Sequence, residues 1–193
     1  MSRVSRRRAQ TRREILDAAW ELARAEGVAQ VTLSKIAERV GMQPPSLYTH
    51  FPSKSAVYDA MFAEGWASLL EAQQRAEASL PARPRDRLLT AARLFFDLSV
   101  ADPARFTLLN QRTLKGFEPS PEAYAAAIAA LDHLRGVLAG SGVRDEGQLD
   151  LAIALIGGLV NAQLANDPGG DRYRRLVPAA VDMFADFVGI GKE

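Results

Sequence analysis

Apolar positions along this chain recur every three or four residues and nowhere alternate over a strand-length run. Ile15, Ala19 and Leu22, with Leu16 and Ala23 beside them, share one face of a helix predicted from about Gln10 to Glu26. Leu33, Ile36, Ala37 and Val40 repeat the i, i+3, i+4, i+7 spacing, so a second helix buries one face and presents Ser34, Lys35, Glu38 and Arg39 on the other. Gly27 stands where a left-handed cap closes the first helix, Thr32 where the second is N-capped, and Gly41 where it must turn. Thr11 followed by Glu14 has the form of a capping box. Pro44 and Pro45 fit only a first helical turn, where a missing N–H costs nothing, which starts a third, short helix running to about His50. Leu47 and Phe51 are its inward anchors. Pro52 ends it, and Ser53 is placed to N-cap a long fourth helix reaching about Leu80.

After the Pro81-Ala-Arg-Pro84 linker, helices are predicted at about 85–101, 103–114, 121–139, 146–166 and 174–188. Two of these are apolar on two faces. The helix at 146–166 has Leu149, Ala152, Ile153, Ile156 and Val160 on one face and Leu151, Leu155, Leu159 and Ala162 on another. The last helix has Val177, Val181, Phe184 and Val188, then Leu176, Ala180, Met183 and Phe187. A helix apolar on two sides needs two covers, and in so small a domain the second cover is read as another subunit. The pattern predicts an all-α chain: an N-terminal three-helix domain at 1–54 and a C-terminal helical dimerisation bundle at 55–193.

Helix, glycine turn and short helix together form the signature of a helix-turn-helix DNA reader. Charge sharpens this. The whole chain is +1, but residues 1–54 hold ten Lys/Arg against five Asp/Glu, so a +5 head sits on a −4 body. Residues 1–9, Arg-rich and without apolar periodicity, are read as a disordered arm able to reach phosphates or a minor groove. The absence of cysteine excludes disulfides and thiolate metal sites and points to a reducing, cytoplasmic setting. The basic start lacks the apolar core of a signal peptide, and the longest apolar run, Leu151 to Val160, is too short to span a bilayer.

The third helix leaves Gln43, Pro44, Pro45, Ser46, Tyr48, Thr49 and His50 outward, with no core explanation for the cluster. Lys54 falls in a first turn, against the helix dipole, which suits a site shared with phosphate. For the C-terminal body, Phe62, Trp66, Phe95, Phe96, Phe106, Phe117 and Tyr124, with polar Asn110 and Asn161, are candidates to line an apolar pocket. Neither His50 nor His133 has a nucleophile or acid partner in view. Metal-ligand spacings and glycine-rich phosphate loops are missing. No enzymatic activity, metal or cofactor is expected.

Residues 10–54 resemble the DNA-binding domain of the TetR (tetracycline repressor-like) family of bacterial transcription factors. The likeness is carried by R-R-E-I-L-D-A-A at 12–19, the Gly27 turn, V-T-L-S-K-I-A at 31–37 and L-Y-T-H-F-P-S-K at 47–54. It covers about a quarter of the chain. It implies that Thr32 and Lys35 approach the DNA backbone, that Tyr48, His50 and Lys54 bind phosphates, and that Gln43, Pro44, Pro45, Ser46 and Thr49 face base edges. The paired prolines depart from the family pattern and leave few donors; Gln43 can pair with adenine and the rings can meet thymine methyls. The resemblance also implies a nucleoid-associated homodimer on a palindromic operator with half-sites roughly 34 Å apart. A small, largely apolar effector in the C-terminal body would release it, repression being the expected sign. The alternative is the same fold governed by a protein partner or by none.

Overall fold

A computed structural model describes residues 3–191, and among these every regular element is helical. The helices are α1 (Arg3–Glu26), α2 (Leu33–Arg39), α3 (Pro44–Tyr48), α4 (Lys54–Glu77), α5 (Pro84–Ala101), α6 (Pro103–Asn110), α7 (Pro121–Ala139), α8 (Glu146–Asn166) and α9 (Val177–Phe187), with single 3₁₀ turns at Val28–Gln30 and Arg174–Leu176. The chain forms two compact units: residues up to Ala67 with Ala104–Ala127, and Ser68–Pro103 with Ile128 onward. The sequence boundary at residue 54 is where α4 begins; the first unit continues past it. Helices α4 and α7 each contribute residues to both units.

In the first unit the helix ends follow single residues. Gly27 has φ +94° and Gly41 φ +66°, conformations closed to most side chains. After α2, Gly41 N–H donates to Glu38 and Met42 N–H to Ala37, the paired bonds of a Schellman motif. Thr32 Oγ1 accepts from Lys35 N–H at 3.2 Å, and Ser53 Oγ from Ala56 N–H at 3.1 Å, so both predicted caps are in place. Ile15, Trp20, Ile36, Leu47, Phe51, Val57 and Met61 make the sealed core.

The N-terminus corrects two expectations. Residues 3–9 are not a disordered arm; they are the first turns of α1. Arg, Ala and Gln are good helix formers, and a helix solvated all round leaves no periodicity to read. With the start moved upstream, Thr11 lies mid-helix and its hydroxyl donates to Arg7 O at 3.1 Å instead of capping.

In the second unit α5 packs on α8 and α9. Arg85 pins the chain's end: its guanidinium donates to Ile190 O, to Gly191 O at 2.9 Å, and to Asp182 and Asp186. The Asp186 hydrogen bond is the main cause raising its pKa above the usual arginine value. Asp145 N-caps α8 by accepting from Gln148 N–H at 2.8 Å. On length and composition alone the 21-residue α8 is apolar enough to cross a membrane, a wider apolar stretch than Leu151–Val160. Here Leu149, Ile156, Val160 and Gln163 are its buried face.

Candidate nucleic-acid interface

Helix α3 is five residues long and held by one buried side chain, Leu47, with Phe51 buried just beyond. Everything else on it faces solvent. Gln43 is its N-cap residue but makes no side-chain cap, so its amide is not committed to the helix. Pro44 and Pro45 occupy the first turn and are exposed, as are Ser46, Tyr48 (52% exposed) and Thr49. The Thr49 hydroxyl donates to Ser46 O at 2.7 Å, leaving its lone pairs outward-capable. His50 is half-buried, with Nδ1 shielded from solvent and without a hydrogen-bond partner.

Two arginines whose contact with α3 the sequence reading did not foresee shape this face. Arg8 donates to Thr49 O at 3.4 Å, and Arg12 donates to His50 O while lying 4.0 Å over the Phe51 ring. They bring positive charge to the carbonyl end of α3, where the helix dipole welcomes it. Their i, i+4 spacing was visible in the sequence; a helix start at Gln10 hid Arg8.

The flanking candidates are committed within the chain. The Thr32 hydroxyl caps α2, and the Lys35 ammonium pairs with Glu26. Lys54 donates to Ala29 O at 3.1 Å and lies 5.2 Å from the Tyr58 ring. An exposed pair such as Lys35–Glu26 is worth little, so either lysine can exchange its partner for a phosphate.

The expected pocket residues divide between the two units. Phe62, Trp66, Phe117 and Tyr124 belong to a cluster of the first unit, where Tyr124 stacks on Phe62 with centroids 6.2 Å apart and Phe117 tilts against Tyr58. Phe106 is buried and also lies in the first unit. Asn110 bonds back to Phe106 O, and Asn161, exposed, to Gly157 O. Phe96 is fully buried in the second unit, and Phe95 borders a cavity there.

Residues 15–61 match the family model for bacterial regulatory proteins of the tetR family. Tetracycline repressor protein class D of Escherichia coli is 38% identical over 53 residues, which is 28% of this chain and 24% of the repressor. A TetR family transcription regulator from Marinobacter aquaeolei superimposes with a TM-score of 0.70 at 21% identity, covering 94% of this chain and 97% of that one. The N-terminal segment of the chain is that of the TetR family. The HTH-type transcriptional regulator YobS of Bacillus subtilis, described as uncharacterized, is 28% identical over 96 residues, half of this chain and 49% of YobS. Nucleoid occlusion factor SlmA of Vibrio vulnificus is 43% identical over 51 residues, 26% of either chain. The matched segment thus spans about half the length of YobS and about a quarter of the other curated relatives. The TetR-type fold extends further: FadR of Bacillus subtilis, solved in complex with stearoyl-CoA, superimposes with a TM-score of 0.68 at 22% identity over 89% of this chain and 96% of FadR.

Proposed function

We propose that this chain is a homodimeric DNA-binding transcriptional regulator, acting as a repressor that leaves a palindromic operator when a small, largely apolar molecule binds its second unit. The observation that carries the DNA-binding reading is α3: a short helix anchored by Leu47 and Phe51, with every other side chain turned outward and two arginines at its end. Tyr48, His50 and Lys54 serve as phosphate contacts that set position on the duplex, joined by Thr32 and Lys35 at the start of α2. Gln43, Pro44, Pro45, Ser46 and Thr49 read base edges.

Dimerisation is supported by α8 and α9. Leu151 and Ile153 on α8, and Met183 and Phe187 on α9, are exposed, the last two at 70%. Large apolar side chains grouped on terminal helices suit a partner surface. A second copy would present a second α3, and two-fold symmetry would match half-sites about one DNA turn apart. Release is a population shift: a ligand that favours a state with mis-spaced readers weakens operator binding by its own differential affinity. The stearoyl-CoA held by FadR supports ligand response in this fold.

A second reading keeps DNA binding and removes the small molecule, supported by the likeness of the N-terminal segment to a nucleoid occlusion factor. Genomic-fragment selection with the purified protein, followed by footprinting, tests the shared claim. A protected palindrome is expected. Uniform, sequence-independent binding would overturn it. Release of the footprint by apolar compounds then separates the two readings.

A further inference from the structure

Within the second unit, the last turns of α4, with α5 and α7, line a partly open cavity of about 50 Å³. Its wall is apolar, formed by Leu69, Leu94, Phe95, Leu134 and Val137 among others. Two polar side chains enter it from facing helices: Gln73 of α4 and His133 of α7. Gln73 Oε1 and His133 Nε2 are both shielded from solvent and both lack a hydrogen-bond partner. The nearest acid to the imidazole, Glu77, lies one turn beyond Gln73 with its carboxylate 3.7 Å from Nε2, too far for a hydrogen bond. The third polar lining residue, Thr90, is spent as a donor to Asp86 O at 2.8 Å. Buried polar atoms are rarely left unpaired, and two in one cavity favour a ligand able to pair with both.

We propose that this cavity binds a small apolar molecule through one uncharged hydroxyl, which donates to Gln73 Oε1 and accepts from His133 Nε2. The inference rests on the ligand-responsive reading above and names the class of effector. A hydroxyl both donates and accepts, so it also suits the amide turned over. A hydrocarbon leaves both atoms unpaired. A carboxylate has no proton for the amide oxygen and meets the Glu77 charge. The cavity is smaller than the roughly 150 Å³ that admits benzene, so a ring-sized ligand has to widen it, and α4 is one of its walls. That opening acts directly on the helix whose first residue is Lys54.

The test uses the full-length protein, with binding measured by calorimetry for 4-ethylphenol, ethylbenzene and 4-ethylbenzoate. The phenol should bind about tenfold tighter than the other two, the worth of roughly one net hydrogen bond. Gln73→Leu and His133→Phe should each cost the phenol about tenfold and leave ethylbenzene unaffected. The unliganded Tm of both variants should be unchanged or raised, because the atoms removed were unpaired. Equal binding of phenol and ethylbenzene, tighter binding of benzoate, no phenol binding, or indifference to both substitutions each overturns the hydroxyl assignment. If hydroxyl-free compounds release DNA while the phenol fails, this inference falls and ligand response stands. If the phenol binds as described and DNA is not released, the site stands and the ligand-responsive reading falls.

Discussion

Single side chains divide between those that hold the reader and those that face outward from it. Tyr48, at 52% exposure beside the buried Leu47, has no packing role to lose. Tyr48→Ala and Lys54→Ala should therefore leave the fold intact and weaken binding to every DNA sequence alike, and Lys54→Ala alone should lower the salt slope, by about 0.9 for the one phosphate it no longer neutralises. Anisotropy titrations across a salt series measure this; normal binding by both variants would remove α3 from the interface. A different residue governs the acid limb of stability. Asp167 accepts from Arg172 N–H at 2.9 Å and from the Gln163 amide, and the first of these is the main cause holding its carboxyl below the usual 3.8. A depressed carboxyl stabilises the fold above its unfolded pKa and loses that contribution as pH falls through the folded one. Asp167→Asn should be less stable than the parent at neutral pH, with the gap closing below about pH 4 in urea melts at stepped pH.

At the scale of elements, the caps carry the geometry of the reader. Thr32 ends one turn and starts α2, so Thr32→Ala should cost about 1 kcal/mol in chemical denaturation. DNA binding should fall with it, because α2 sets the angle of α3. These ends were legible in the sequence because each depends on one residue: Gly27 and Gly41 on a φ that other residues resist, Thr32 and Ser53 on a hydroxyl three residues before the amide it accepts. The start of α1 was not legible, since a basic helix projecting into solvent has no apolar stripe. The pocket was legible least. Its two unpaired polar atoms come from different helices far apart in the chain, and nothing local to Gln73 or His133 announces the other. Gln163, buried on α8, is by contrast fully occupied: its amide accepts from Tyr173 N–H at 2.9 Å and donates to Asp167.

At the scale of the whole molecule, the proposal joins two copies through α8 and α9. Met183 and Phe187 are exposed in the single chain, so Met183→Glu with Phe187→Glu should fold normally yet sediment as a monomer. Operator affinity should fall by orders of magnitude, since a lone reader makes half the contacts and forfeits the effective concentration of its twin. A dimer undisturbed by both charges would place the interface elsewhere.

On the proposed reading, the two prolines that open α3 also set what kind of chemical mark this protein can notice on DNA. They remove two amide donors from the helix start and replace them with exposed hydrocarbon rings. Such a surface reads methyl groups, and the C5 methyl is what separates thymine from uracil in the major groove. Replacing single thymines by uracil across the operator should therefore weaken binding at the base steps facing Pro44 and Pro45 and nowhere else. By the same contact, 5-methylcytosine at those steps should be bound better than cytosine, making the protein responsive to methylation of its own site.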